Sequence, residues 1–283
     1  FFSAPGAGVD YYQFWLVGQA QRGTRPANVY SDDDRAAMAK AGRAMLASAP
    51  ESSRLAVSVE TRPTLETFST PFLYAALDAF SAGDYERDFD RYLNLCLTLL
   101  LLSTLLIGWT LGYRLVETVL FAIALLLWSE PLSSDLRVGN VNALQVGGVA
   151  LYLLLRRPPV PLWKDIGGGF LLGALVAFKP TLALVPGLLA LAWALDGRWR
   201  TLLVQAGAAA AGVAVAFLVG CEFLGSWSAW GDWLSSLSGL ERVSDISLAL
   251  GNFSITRAVA ETSGLDVGPL LLIAPAGFNR VAG

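Results

Sequence analysis

The feature that most constrains this chain is a series of apolar, almost uncharged segments that begins near residue 92. A helix needs about 20 apolar residues to cross the hydrocarbon core of a bilayer, so several of these segments are short or tilted. The series predicts an all-α polytopic membrane protein and excludes a soluble domain. The segments are 92–112, 114–128, 141–155, 166–178, 180–195, 201–224 and 265–278.

Composition supports this prediction and removes several classes of function. Charged residues make up 15% of the chain, against about 25% in soluble domains. A net charge of −3 lacks the basic footprint of a nucleic-acid-binding protein, and histidine is absent. Cys96 and Cys221 have neither metal nor redox spacing. No nucleotide-binding P-loop motif is present, so ATP-driven transport is unsupported.

Basic residues indicate how the apolar segments are oriented. They lie between 156 and 164, before the pair 166–178 and 180–195, and again at Arg198 and Arg200 after it. Positive charge in short loops favours the cytoplasmic side. Both ends of the pair are therefore predicted to be cytoplasmic. The pair is then a hairpin rather than one long span kinked at its proline.

This orientation divides the chain into four regions, with large parts outside the cytoplasm. The chain is interpreted as a fragment that lacks the first membrane helix upstream. The predicted regions are an extracytoplasmic loop with amphipathic juxtamembrane helices (1–91), a transmembrane bundle (92–224), a second outer loop with an interfacial helix (225–264) and the start of a further membrane helix (265–283).

Local patterns predict helices inside the two outer loops. The aromatic stretch 10–17 is typical of an amphipathic helix at the bilayer interface. A second helix is predicted after Ser31, where Asp34 completes a capping-box pattern. A third is predicted over 65–80. In the second loop, tryptophans at helical spacing over 227–233 predict the interfacial helix.

Asp10 is the candidate general base. A carboxylate beside aromatic residues at the membrane surface could deprotonate a hydroxyl, because partial burial raises its pKa toward the working pH. A solvated loop aspartate, or a helix N-cap, explains the same residue without any catalytic role. The sequence leaves both interpretations open.

Lys179 is the one charged residue between Asp165 and Asp196. An ionisable residue among membrane helices is costly and is a functional candidate, and Pro180 can free backbone groups beside it. Lys179 could bind an anionic phosphate as a point charge. Alternatively, it extends from the turn into water.

Further candidates are amides and one arginine in predicted outer turns. Asn140 and Asn142 stand at the start of an apolar helix, and Gln145 shares a face with Asn142. They could hydrogen-bond a sugar, although capping and interhelical bonding explain them equally well. Arg257 could hold a phosphate, or simply remain solvated.

Taken in order, these motifs resemble glycosyltransferase family 87, the polyprenol-phosphate-mannose-dependent mannosyltransferases of GT-C fold. The similarity covers nearly the whole chain, although Phe253 replaces a glutamine of the family pattern. The motifs are Asp10-Tyr11-Tyr12, Asn28-Val29-Tyr30, Gly139-Asn140-Val141-Asn142, Phe178-Lys179-Pro180-Thr181, Arg198-Trp199-Arg200 and Gly251-Asn252-Phe253-Ser254.

The resemblance implies a GT-C-like enzyme in the bacterial inner membrane. It implies transfer of a sugar, mannose by this resemblance, from a polyprenyl-phosphate donor to a lipid or glycan acceptor on the extracytoplasmic face. Asp10 is then the base, Lys179 the donor-phosphate contact, and Asn140, Asn142, Asn252 and Arg257 weaker substrate contacts. No cofactor is expected. A metal is unnecessary, because no carboxylate cluster accompanies Asp10 in the sequence.

Two functions of other classes compete with the enzyme. One is a non-catalytic flippase or carrier of lipid-linked sugars, and the other is a membrane scaffold without activity. A carrier more naturally shows internal repeats and discontinuous helices in matched halves. The chain shows one broken segment, at Lys179-Pro180, without a matching partner.

Overall fold

A computed structural model describes residues 7–23, 28–48, 50 and 53–238. Within these ranges every regular element is helical, which confirms the all-α prediction. In chain order the elements are α1 (Val9–Gln21), α2 (Asp32–Met45), a 3₁₀ helix (Leu46–Ser48), α3 (Arg54–Thr61), α4 (Pro71–Asp78), α5 (Tyr85–Thr110), α6 (Leu115–Trp128), α7 (Glu130–Val138), α8 (Asn142–Leu155), α9 (Leu162–Phe178), a second 3₁₀ helix (Pro180–Ala183), α10 (Leu184–Leu195), α11 (Trp199–Leu224) and α12 (Ala229–Ser238).

Two of the described helices, α5 and α11, are long and apolar enough to cross a membrane. α6 and α7 together make a third candidate, although the chain bends by 69° between them. Large apolar side chains such as Leu102, Leu120 and Leu218 are exposed on these helices, as is typical of a surface that faces lipid. Each predicted apolar segment up to residue 224 coincides with a helix, whereas 265–278 lies outside the described residues.

α9 and α11 pack closely along their length because glycines remove the side chains between them. A Cβ on Gly173 would lie 1.9 Å from the carbonyl oxygen of Ala209, and one on Gly212 would lie 2.1 Å from that of Phe170. Small residues let membrane helices approach until their backbones touch. α9 is thereby held against the long helix α11.

α9 and α10 form the predicted hairpin. Arg156 pairs with Asp165 near the start of α9, and its guanidinium lies 5.7 Å from the ring centroid of Trp193 near the end of α10. The far ends of both helices therefore meet at one end of the bundle. The kinked single span is wrong for this reason.

The helices α1 to α4, which precede α5, form what we call the loop domain. The aromatic stretch at 10–17 lies at its centre, so the predicted interfacial helix is wrong here. In α1 the side chains of Tyr11, Tyr12 and Trp15 are all at most 3% exposed. Tyr11 stacks on Tyr92 of α5 with ring centroids 4.7 Å apart. These aromatic side chains therefore lie inside the protein and not on a membrane surface.

Two other local predictions for the loop domain need correction. α2 begins after Ser31 as expected, but the Asp34 carboxylate accepts a hydrogen bond from the backbone N–H of Asn28 instead of completing a capping box. The helix expected over 65–80 covers only 71–78. Pro71 opens that helix, because the residue before a proline is driven into extended conformations. α3 was not predicted.

The tryptophans of the second loop pack onto the protein. On α12, Nε1 of Trp233 donates to the carbonyl of Phe68, and Nε1 of Trp230 donates to that of Phe217. Trp227 precedes the helix and is exposed. The spacing of the tryptophans therefore predicts the helix correctly from Trp230 onward. The indole of Trp233 holds α12 against the loop domain, and the indole of Trp230 holds it against α11.

Candidate active site

The first turn of α1 is fixed between α5 and α7. Gly8 precedes the helix with φ +83°, a conformation that L side chains rarely adopt. Its N–H donates to the carbonyl of Arg137, and its carbonyl accepts from the hydroxyl of Tyr85, both at 2.7 Å. A Cβ on Gly8 would lie 2.4 Å from that hydroxyl. This close contact places Asp10 at a defined position near α7.

Asp10 is ion-paired rather than solvated or capping. Nη2 of Arg62 donates to Oδ1 of Asp10 at 2.8 Å, while Nη1 of the same guanidinium donates to Glu66 at 2.7 Å. The Asp10 side chain is 25% exposed. Gly8, and not Asp10, is the N-cap of α1. Asp10 is therefore neither a solvated loop aspartate nor a helix N-cap.

The surroundings of Asp10 raise the pKa of its carboxyl above the usual value. Burial is the largest cause, and it outweighs the charge and hydrogen bond of Arg62, which lower the pKa. The negative charge of Asp135 raises the pKa further, and the positive charge of Lys179 lowers it. A carboxylate with a raised pKa is a stronger base than a solvated aspartate.

Lys179 lies at a break in the chain that proline enforces. The residue is extended (φ −145°, ψ 105°) between α9 and the 3₁₀ helix that starts at Pro180. The turn of the broken helix leaves the carbonyl of Phe178 available, and the buried hydroxyl of Thr70 donates to it at 3.1 Å. Thr70 belongs to the loop domain. The break is therefore held from the loop domain side.

A chain of hydrogen bonds joins this break to α7. Nζ of Lys179 donates to Oδ1 of Asn142 at 2.9 Å, and Nδ2 of Asn142 donates to Oδ2 of Asp135 at 2.5 Å. Lys179 is thus turned toward the protein, not extended into water. The charges of Asp135 and Lys179 both affect the pKa of Asp10. Four side chains from three separate parts of the chain therefore share one site: those of Asp10, Asp135, Asn142 and Lys179.

The other predicted site residues are placed differently. The side-chain oxygen of Asn140 accepts from the backbone N–H of Val141, and its carbonyl accepts from Tyr92. Asn140 therefore caps a turn. Asn252 and Arg257 lie outside the described residues.

Three charged residues of the site were not predicted, namely Arg62, Glu66 and Asp135. Arg62 and Asp135 are distant from Asp10 in sequence, and no spacing relates them to it. Asp135 brings further negative charge to Asp10, and Glu66 shares the guanidinium of Arg62. Within the described ranges, however, no three carboxylate, cysteine or histidine side chains are arranged to hold a metal ion.

The comparison with known families bears directly on this site. A family model described as Glycosyltransferase family 87 matches residues 90–282. The chain belongs to glycosyltransferase family 87. The matched region includes Asp135, Asn142 and Lys179, whereas Asp10 and Arg62 precede it. No curated protein and no solved structure matches the chain. With its apolar helices, this family 87 chain is a membrane glycosyltransferase.

Proposed function

We propose that the site around Asp10 and Lys179 transfers a sugar, mannose, from a polyprenyl-phosphate donor to a hydroxyl of a lipid or glycan acceptor. The observation that carries this proposal is that Asp10, a carboxylate of raised pKa, lies within the range of the charge of Lys179, whose ammonium is held by an amide. Transfer of a sugar from a phosphate requires both groups, because one oxygen must lose a proton and another must leave with a negative charge.

The proposed step is a single displacement at the anomeric carbon. Asp10 takes the proton of the acceptor hydroxyl while the acceptor oxygen forms its bond to that carbon. The bond between the carbon and the donor phosphate oxygen breaks, and its electron pair stays on the phosphate. The ammonium of Lys179 stabilises this developing charge. Attack opposite the leaving phosphate inverts the anomeric configuration.

Arg62 keeps Asp10 oriented and ionised in this proposal. A buried carboxylate without a partner would take up a proton and would lose its function as a base. Paired with Arg62, the Asp10 carboxylate stays available, and burial keeps it more basic than a solvated aspartate.

The proposed side of the membrane and the remaining substrate contacts follow from the orientation that the basic residues predict. The loop regions 1–91 and 225–264 face the extracytoplasmic side of a bacterial inner membrane, where the site meets lipid-linked donors. Asn252 and Arg257 are proposed contacts to the substrate from the second loop. The apolar surfaces of α5 and α11 face membrane lipids.

The experiment that tests the donor assignment uses Lys179→Met in purified protein. Transfer is measured from radiolabelled polyprenyl-phosphate mannose and, separately, from a labelled nucleotide mannose. The wild type should use only the lipid donor, and Lys179→Met should be slower by about 10²–10³-fold, the usual loss when one charge-stabilising group is removed. Lys40→Met, at an exposed position on α2, is the matched control.

Two outcomes would contradict the proposal. Efficient transfer from the nucleotide sugar would exclude a lipid-phosphate donor. Equal rates for Lys179→Met and Lys40→Met would remove Lys179 from the reaction. Transfer of another sugar from polyprenyl phosphate, with mannose unused, would correct the sugar and keep the donor class.

A further inference from the structure

The link from Lys179 through Asn142 of α8 to α7 has an unusual composition for a half-buried cation. An amide, not a carboxylate, touches the ammonium, and the carboxylate of Asp135 stands one residue further away behind Asn142. A carboxylate accepts hydrogen bonds and cannot donate them when ionised. Asp135 therefore requires Asn142 to turn its NH₂ toward α7 and its oxygen toward Lys179.

We propose, on the basis of the function proposed above, that Asp135 is a positioning residue for the phosphate-binding lysine. Through Asn142 it fixes the ammonium of Lys179 at the break before Pro180. The intervening amide keeps the charge of Lys179 available to the phosphate of the donor. A carboxylate in direct contact would pair with the ammonium and would repel the phosphate.

The placement of Asp135 supports this role. It lies in the last turns of α7, the short helix that is bent by 69° from α6. The end of this helix is tied to the site, because the carbonyl of Arg137 accepts from Gly8 two residues before Asp10. A Cβ on Gly139 would lie 2.7 Å from Cβ of Tyr11. α7 therefore holds Asp135 against Asn142 and close enough to Asp10 and Lys179 for its charge to act on both.

Gln145, a second amide, follows Asn142 on α8 by about one turn and could also contact the substrate. Nε2 of Gln145 is buried and has no hydrogen-bond partner among the residues that the structure describes. A buried donor without a partner is costly and calls for an explanation such as a bound ligand. Gln145 and Asn142 share a helix face. Within this proposal, the unsatisfied Nε2 of Gln145 is available to a phosphate or sugar oxygen of the substrate.

The test measures the binding of radiolabelled polyprenyl phosphate, the lipid product without its sugar, to purified protein. Asp135→Asn should raise the Kd about tenfold, because the amide of Asn142 is then free to turn its NH₂ toward the ammonium. Glu130→Gln removes a negative charge from an exposed position of the same helix and is the matched control. It should bind as the wild type does.

A double variant separates positioning from simple structural support. Asp135→Asn combined with Asn142→Asp restores one carboxylate and one amide, and it keeps the net charge. It places the carboxylate directly against Lys179. If the pair only supports the fold, this exchange should restore wild-type binding. If the proposal is correct, binding should be at least as weak as in Asp135→Asn alone.

The pH dependence of sugar transfer gives a second readout. The charged groups that act on Asp10 are Arg62, Asp135 and Lys179, and Glu66 shares the guanidinium of Arg62. Because the charge of Asp135 raises the pKa of Asp10, Asp135→Asn should move the acid limb of the rate profile to lower pH. This shift tests whether the charge of Asp135 acts on Asp10, and the double variant tests the positioning of Lys179 separately.

The outcomes distinguish this proposal from the function on which it rests. Wild-type protein that binds no polyprenyl phosphate would contradict the proposed donor and would end both proposals. Wild-type binding together with equally tight binding by Asp135→Asn, or recovery in the double variant, would overturn the role of Asp135 alone.

Discussion

Thr70 offers a quantitative test of how the loop domain holds the break at Lys179. Its side chain is 1% exposed and makes two hydrogen bonds. The hydroxyl donates to the carbonyl of Phe178, and its oxygen accepts from the backbone N–H of Leu73 as the N-cap of α4. Thr70→Val keeps the shape of the side chain and removes both bonds.

The expected cost follows from these two contacts. A buried carbonyl without its donor costs about 1–3 kcal/mol, and the loss of an N-cap costs about 0.5–2 kcal/mol. Together they should destabilise the protein by roughly 1.5–5 kcal/mol. At about 2–4 °C per kcal/mol for a chain of this order of size, the Tm should fall by roughly 3–20 °C.

The assay is thermal unfolding of detergent-purified protein, with Thr70→Ser as the matched control. Serine keeps the hydroxyl and loses one methyl group, so its cost should be about 1 kcal/mol. Thr70→Val should also transfer sugar more slowly at temperatures where it is fully folded, because Lys179 is no longer held at its break. Equal Tm values for the two variants would refute the reasoning, since they differ chiefly in the hydroxyl.

Two further predictions concern the base and the bundle. Arg62→Gln removes the charge that lowers the pKa of Asp10, so the acid limb of the pH–rate profile should move to higher pH; a limb that stays in place would mean that Asp10 is not the titrating base. Gly173→Ala places a Cβ 1.9 Å from the carbonyl oxygen of Ala209, and overpacking of this kind should cost about 1–3 kcal/mol in thermal unfolding. Gly187→Ala on α10, where a Cβ meets nothing within 4 Å, is its control and should leave the Tm unchanged or raise it; equal Tm losses would contradict the close packing of α9 on α11.

The membrane helices could be predicted because their signal is local. Apolar runs, with basic residues at 156–164 before them and at Arg198 and Arg200 after them, predict that α9 and α10 form a hairpin. Lys179 was conspicuous for the same reason, as a charge in an apolar stretch followed by Pro180. Each apolar run, and the charge inside it, is visible within a window of about 20 residues, the length of chain that spans a bilayer.

The loop domain and the partners of the site could not be predicted in the same way. Tyr11 and Trp15 are buried by helices that are far away in sequence, so their aromatic pattern was indistinguishable from that of an interfacial helix. Arg62 and Asp135 carry no motif, and only the fold brings them to Asp10 and Asn142. The first turn of α1 and the end of α7 are held together by close contacts of Gly8 with Tyr85 and of Gly139 with Tyr11. Each of these contacts joins residues that are far apart in the sequence.

The most direct test of the account is the single-turnover rate of transfer from radiolabelled polyprenyl-phosphate mannose in membranes that contain wild-type protein, Asp10→Asn or the control Asp33→Asn. Asp33 is exposed on α2, so its variant should match the wild type. Loss of a general base should slow Asp10→Asn by about 10²–10⁴-fold at equal protein levels. Wild-type rates for Asp10→Asn would contradict the assignment of the base and the mechanism built on it.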